Sequence, residues 1–339
     1  MKIALEQQHQ RKPRSARMNN KITERIDAIT GMTPEYTGER LPPPKSVKIE
    51  LTARCDFNCF FCASGQRLRD RKDMDFGMFM RLAKEMREVG VQELGLFYLG
   101  ESFMLDWLPE AIRYAKEECG YPYAFLTTNG RLSKPDIVER CIEAGLDSLK
   151  FSFNNATPEQ LKAVAQVKPD IFYEIIENIK GAREVRDHIE AETGHRCGIY
   201  ASSIQFDGKQ AEVMAKAVEP ILPYVDEHYY LPLYGQSGHV EDRISQHDKN
   251  YKPTAGNQGR IGALRHPVPC WSAFTEGHVT YDGKLSACCF DHDGRFEMGD
   301  LTQKTFMEAW NSDTFIKLRR AHLEQDLTGT VCEKCVAYE

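Results

Sequence analysis

Cys55, Cys59 and Cys62 are the residues of this chain most able to do chemistry. They lie in Cys55-Asp56-Phe57-Asn58-Cys59-Phe60-Phe61-Cys62, a C-x3-C-x2-C spacing. Thiolate sulfur is a soft donor that selects iron–sulfur clusters or zinc. Three thiolates on one short loop can hold three irons of a cubane cluster. The fourth iron then stays open, and an open position is what metal-centred chemistry needs, whereas a closed site serves structure. A zinc ribbon would want paired C-x2-C knuckles, and no second pair lies nearby. Buried apolar thiols are the bland alternative.

A second group stands near the C-terminus: Cys270, Cys288, Cys289, Cys332 and Cys335. Cys332-x2-Cys335 plus two distant thiols is a four-ligand count, which suits zinc as well as a cluster. Of the three remaining cysteines, Cys141 shares a helical face with Ile137 and reads as core. Cys197 precedes a strand and Cys119 carries no signal. Three further short motifs each follow an expected strand, as the cysteine loop itself does: Tyr98-Leu99-Gly100-Glu101-Ser102, Thr127-Thr128-Asn129-Gly130 and Ser152-Phe153-Asn154. Alone, Asn-Gly is usually a turn and Ser-x-Asn a cap or loop.

The elements that must position these residues alternate. Strands are expected at 47–51, 94–98, 123–127, 148–153, 198–205 and 228–233. Helices are expected at 78–89, 108–118, 134–144, from 158 towards 190 with a break near Lys168-Pro169, and at 208–218. Such alternation forces parallel strands with right-handed crossovers. Six units suit an α/β fold of partial (β/α)6 barrel type, with its chemistry on loops after the strands' C-terminal ends. An open doubly wound sheet is the rival, but the first unit lacks a Gly-rich dinucleotide fingerprint. Residues 234–269 are rich in Gly, His and Arg, show no strong period and read as a long irregular connection. Beyond Cys270, 279–285 looks like a hairpin turning on Asp282-Gly283, and 306–310 and 313–324 look helical. Leu41-Pro42-Pro43-Pro44 marks a boundary before the first strand, and the first 20 residues read as a polar tail.

Composition narrows the classes. The chain has 339 residues, 41% hydrophobic and 28% charged, enough for a sizeable core. A net charge of −6 argues against nucleic-acid binding by bulk electrostatics. No run of about 18 apolar residues suggests a membrane span. Residues 1–21 are basic without an apolar core, so no secretory signal is expected and the default compartment is the cytoplasm. In the cytosol eleven cysteines point to metal rather than disulfides.

Taken in order, these motifs resemble the radical S-adenosylmethionine (radical SAM) superfamily, whose members carry C-x3-C-x-aromatic-C after the first strand of a partial barrel. Phe61 fills the aromatic position. The resemblance covers about residues 45–235. It implies that Cys55, Cys59 and Cys62 hold a 4Fe–4S cluster whose open iron binds the methionine end of S-adenosylmethionine. Reductive cleavage would then give a 5′-deoxyadenosyl radical that takes a hydrogen atom from the substrate. Gly100, Glu101 and Ser102 match the motif that holds the methionine amino group, although Leu99 stands where a first glycine is usual. Thr127 and Asn129 match the family's Thr-x-Asn-Gly turn, and Ser152 and Asn154 match positions that reach the ribose.

The C-terminal pattern resembles the family's SPASM/twitch appendage. With five cysteines rather than seven or more, it looks like the twitch form with one auxiliary 4Fe–4S cluster, held by Cys270, Cys288, Cys332 and Cys335. Cys289 is left as a packed thiol, because adjacent thiolates rarely reach one cluster. The expected organisation is an N-terminal extension (1–45), a barrel core (46–235), a connecting segment near the active site (236–269) and the cluster-binding appendage (270–339).

The expected substrate is a polar small molecule such as a sugar, amino sugar or nucleoside, oxidised by loss of two hydrogens. A peptide-modifying enzyme is the alternative within the class, but the polar N-terminal segment is too short for a winged-helix peptide-recognition domain. A cobalamin domain is likewise absent. A non-catalytic iron–sulfur carrier or sensor is the alternative outside it, disfavoured because a carrier has no use for a nucleoside pocket. A reductant such as flavodoxin or ferredoxin is the expected partner.

Overall fold

The computed structural model describes residues 21–205, 208–247, 253, 258–333 and 335. The expected polar tail over the first 20 residues lies outside the described residues, as do 248–252 and 254–257 of the connection. In chain order the elements are α1 (Ile22–Thr30), β1 (Ser46–Ile49), α2 (Phe76–Glu88), β2 (Glu93–Gly95) and α3 (Leu108–Arg113). There follow β3 (Tyr123–Thr128), α4 (Pro135–Glu143), β4 (Ser148–Ser152), α5 (Pro158–Ala165), α6 (Ile171–Thr193), β5 (Gly198–Gln205), α7 (Gly208–Val218) and β6 (Glu227–Pro232). The chain ends in α8 (Glu241–His247), β7 (Glu276–Val279), β8 (Lys284–Ser286), β9 (Glu297–Asp300), α9 (Phe306–Trp310) and α10 (Asp313–Glu324).

Strands β1 to β6 lie side by side in chain order and run parallel, the partial barrel that the alternation predicts. Their side chains alternate between two faces. Val47, Ile49, Leu94, Ala124, Leu126, Leu149, Phe151, Ile199 and Ala201 are buried under the helices. The opposite face is polar: Lys48 Nζ lies 2.6 Å from Glu276, Arg25 pairs with Glu93, and Lys150 lies 5.9 Å from the Tyr229 ring. Burying one large aliphatic side chain is worth roughly 1.5–3 kcal/mol, so the outer face carries the stability. The lumen is thereby free for polar work.

Three features depart from the sequence expectations. The appendage is not a separate layer: β7 pairs in parallel with β1, from Ser46↔Glu276 to Ile49↔Val279, and β8 and β9 follow antiparallel, giving one nine-stranded sheet among the described residues. The free edge of β1 needed a partner, and the C-terminal segment supplies it. Helix α1 closes the lumen at the strands' N-terminal ends. Arg25 of α1 pairs with Glu93 and lies 4.0 Å from the Phe125 ring, while Thr23 Oγ1 donates to Glu227 at 2.6 Å. The connection also holds α8, which the sequence hides because only Ile244 of its seven residues is buried. Among smaller differences, the helix expected over 108–118 turns into a π-type turn at Tyr114–Glu118. The break expected near Lys168-Pro169 is present: α5 ends at Ala165 and α6 begins at Ile171, and Gln166 between them takes a left-handed φ of 58°. No helix among the described residues is long and apolar enough to cross a membrane.

Candidate functional site

The loop after β1 carries Cys55, Cys59 and Cys62 at the C-terminal end of the strands. Its backbone is tied on several sides. Asn58 and Phe60 donate to the carbonyls of Ala165 (2.9 Å) and Val164 (3.0 Å) at the end of α5. Gln236 accepts from Ala63 N at 2.9 Å, and Arg243 of α8 donates to the Cys62 carbonyl at 3.0 Å. Phe61 packs edge-on against Phe60 in a small apolar cluster with Leu233, Val240 and Ile244. The three thiols are close enough to feel one another. Burial pushes all three above the ordinary thiol range, each neighbouring thiolate raises Cys59 further, and Arg243 pulls Cys59 and Cys62 back down. Such a set holds its protons until a cation replaces them.

Glu101 follows β2 and is 2% exposed. Its Oε1 accepts from Phe103 N and Thr128 Oγ1, both at 3.1 Å, and its Oε2 from Asn129 N at 2.8 Å. One lone pair of Oε2 remains for a ligand. Burial raises the carboxyl to about 7 against the pull of the Asn129 and Phe103 amides. Asn129 Nδ2 donates to Asp56 at 2.7 Å and comes within 4.0 Å of Cys55 Sγ, so the turn after β3 touches the cysteine loop. Thr127 faces the lumen, and it is Thr128 that reaches Glu101. Ser102 turns its hydroxyl inward to the Leu96 carbonyl at 2.6 Å. The close approach that Gly100 permits is to the chain itself: a Cβ there would lie 2.1 Å from the Thr52 carbonyl oxygen. Ser152 is partly buried at the end of β4, and Asn154 Oδ1 accepts from Ile204 N at 3.2 Å, bracing β4 to β5.

The C-terminal thiols also converge. Cys332 feels the charges of Cys288, Cys270 and Cys335, and burial pushes it up first of all. Cys335 N donates to the Cys332 carbonyl at 3.0 Å, folding that pair into one turn. Of the adjacent pair, the hydrogen bond from Cys289 lowers Cys288, helped by the Ser237 hydroxyl at 3.4 Å, whereas burial raises Cys289. Cys288 is therefore the readier thiolate. Among the described residues no three His, Cys, Asp or Glu groups close around a single ion. Cubane ligands attach to different irons and need not converge on one point. Both thiol sets fit a cluster in donor chemistry and in number.

The two sites are joined by residues, Tyr98 among them, whose joining role no sequence motif announces. Tyr98 Oη donates to the Cys288 carbonyl and accepts from Asp291 N. Arg69, on the loop beyond Cys62, donates to both oxygens of buried Glu50 (2.9 and 3.0 Å), and Glu50 accepts from Tyr281 N at 3.0 Å. Arg69 and Glu50 belong to no motif, and Tyr98 was legible only as the first residue of Tyr98-Leu99-Gly100-Glu101-Ser102.

Comparison with known proteins agrees with this geometry. The model of the radical SAM superfamily matches residues 49–189, and that of the SPASM iron–sulfur cluster-binding domain matches residues 270–336. A probable GTP 3′,8-cyclase of Saccharolobus solfataricus is 32% identical over 143 residues, 42% of this chain and 45% of that protein. A PqqA peptide cyclase of Granulibacter bethesdensis is 30% identical over 125 residues, 37% of this chain and 33% of that protein. The matched stretch is thus less than half the length of either relative. Among solved structures, BtrN in complex with AdoMet and 2-DOIA aligns over 86% of this chain and 92% of its own, with a TM-score of 0.56 at 13% identity. Streptococcus suis SuiB bound to precursor peptide SuiA aligns over 88% and 71%, with a TM-score of 0.63 at 15% identity. These likenesses show a shared fold.

Proposed function

We propose how this chain, which carries a radical SAM domain and a SPASM iron–sulfur cluster-binding domain, uses the two together: it oxidises a polar small molecule by removing two hydrogens. The domains imply an S-adenosylmethionine-binding 4Fe–4S cluster and an auxiliary cluster. When bound, the first cluster with S-adenosylmethionine supplies a 5′-deoxyadenosyl radical that takes a hydrogen atom from the substrate, and the second supplies an electron acceptor. Cys55, Cys59 and Cys62 would hold the first, and Cys270, Cys288, Cys332 and Cys335 the second. Glu101 and Asn129 would hold the methionine end, with Gly100, Ser102 and Thr128 shaping that corner. Thr127, Ser152 and Asn154 would face the nucleoside.

The observation that carries the oxidative reading is the Tyr98 hydroxyl on the Cys288 carbonyl. It fixes the four-thiol region beside the strand end that bears Glu101, so an electron leaving the substrate would have a nearby acceptor. A four-thiolate set leaves no open iron for substrate, which fits an electron-accepting role. The small-molecule reading is supported by the polar lumen and by similarity to a cyclase named for GTP. Similarity to a peptide cyclase favours a second reading, a peptide substrate. A one-electron reductant such as a flavodoxin or ferredoxin would supply the electron to the first cluster.

The test is product mass, with a panel of deuterated sugars, amino sugars, nucleosides and short peptides. A small molecule losing about two mass units, with one deuterium in 5′-deoxyadenosine, is the expected result. An unchanged substrate mass with solvent hydrogen incorporated would overturn the oxidative reading, and turnover of peptides alone would overturn the small-molecule one.

A further inference from the structure

Lys150 sits in the middle of β4, opposite Thr127 of β3 and Tyr200 of β5. Its neighbours Leu149 and Phe151 are buried beneath the helices, so alternation turns Lys150 into the lumen, on the same face as Ser152. Among the described residues, the lumen cations Lys48 and Arg25 are paired. Lys48 meets Glu276 at 2.6 Å, Glu276 also meets His278 Nε2 at 3.1 Å, and Glu93 meets Arg25. Lys150 has no hydrogen-bond or ion-pair partner among the described residues. It has the Tyr229 ring at 5.9 Å and the repulsion of Lys48.

Lys150 is half-buried, and an ammonium drawn partly out of water without an acceptor is costly. Burial first, and Lys48 second, bring Lys150 down to about 8. Lys150 therefore stands without an anion beside it, level with Thr127 and one pleat below Ser152 at the end of β4. We infer that Lys150 is the receptor for an anionic group, a carboxylate or a phosphate, carried by the substrate. An ammonium is a compact point charge without the planar fork of a guanidinium, so it accepts either anion. Paired with Lys150, such a group would seat the rest of the substrate above it, towards the cysteine loop. This rests on the reading that substrate enters the lumen from the strands' C-terminal ends.

The experiment measures binding of two probes, inorganic pyrophosphate and malonate, to the anaerobically reconstituted full chain by equilibrium dialysis. It compares wild type, Lys150→Met and Lys150→Arg, with iron content and cluster absorbance confirming that each variant is assembled. Wild type should bind at least one probe. Lys150→Met should weaken that binding tenfold or more, and Lys150→Arg should recover most of it. Preference for pyrophosphate would mark a phosphorylated substrate, and preference for malonate a carboxylic acid. Absence of binding to wild type, or equal binding by assembled Lys150→Met, would overturn the inference. Formation of 5′-deoxyadenosine by the same wild-type preparation separates the two ideas. With it but without anion binding, only the anion site fails; with anion binding but without it, the proposed chemistry fails and the site stands.

Discussion

On the proposed function, Glu101 serves fold and cofactor at once. Three protein donors reach its carboxylate, and one lone pair is left for an ammonium. Glu101→Ala would strand the Phe103 and Asn129 amides and the Thr128 hydroxyl. A buried unpaired donor costs about 1–3 kcal/mol. Thermal denaturation should register that loss. S-adenosylmethionine affinity should fall separately, by a charged hydrogen bond of about 1.5–3 kcal/mol, or tenfold and more in equilibrium dialysis. An unchanged affinity in the folded variant would remove Glu101 from the cofactor site. The sequence could show Glu101 as a carboxylate at a strand end, but not that Thr128 rather than Thr127 would meet it. Two adjacent threonines differ only in which face of the strand they take, and the register decides that.

At the scale of elements, Gly100 and α8 hold the cysteine loop from opposite sides. A methyl group at position 100 would lie 2.1 Å from the Thr52 carbonyl oxygen and 2.7 Å from that of Arg54, and backbone cannot swing aside as a long side chain can. Gly100→Ala should therefore displace the loop, and iron per chain after reconstitution should fall from about eight to about four, because the C-terminal thiols are untouched. Full iron content in that variant would contradict the assignment. The elements most legible in the sequence were those with a period to read: β1 to β6 with their alternating outer face, and α2 and α4 with one buried stripe. β9 was missed because it has four residues, with only Met298 buried. Helix α1 was missed because its packing partners, Glu93, Tyr123 and Glu227, are far away in the chain.

Across the whole molecule, the join between barrel and appendage is the β1–β7 pair, and its buried charges make a pH prediction. Burial alone would raise Glu276, but Lys48 and the His278 hydrogen bond outweigh it and bring it to about 2. A folded value below the ordinary 4.5 means that ionised Glu276 stabilises the fold above about pH 4.5. That contribution is lost as pH falls towards 2. The difference of about 2.5 units corresponds to about 3 kcal/mol. Urea unfolding of wild type and Glu276→Gln should differ by about that amount at pH 7, and the gap should close near pH 2.5. A gap that persists in acid would show that Glu276 acts through packing instead of charge. The continuity of the sheet was not legible in the sequence, because the appendage's cysteines mark it as a distinct unit and nothing in Glu276–Val279 names β1 as its partner.

The account stands on the loop Cys55–Cys62 holding a cluster with one open iron beside Glu101. Its most direct test is quantification of 5′-deoxyadenosine made from S-adenosylmethionine by the anaerobically reconstituted chain under dithionite. Wild type should release it, and Cys55→Ala, Cys59→Ala and Cys62→Ala should each release none while retaining the about four irons of the C-terminal set. Release of 5′-deoxyadenosine by any of these variants, or none from a wild type carrying its full iron, would contradict it.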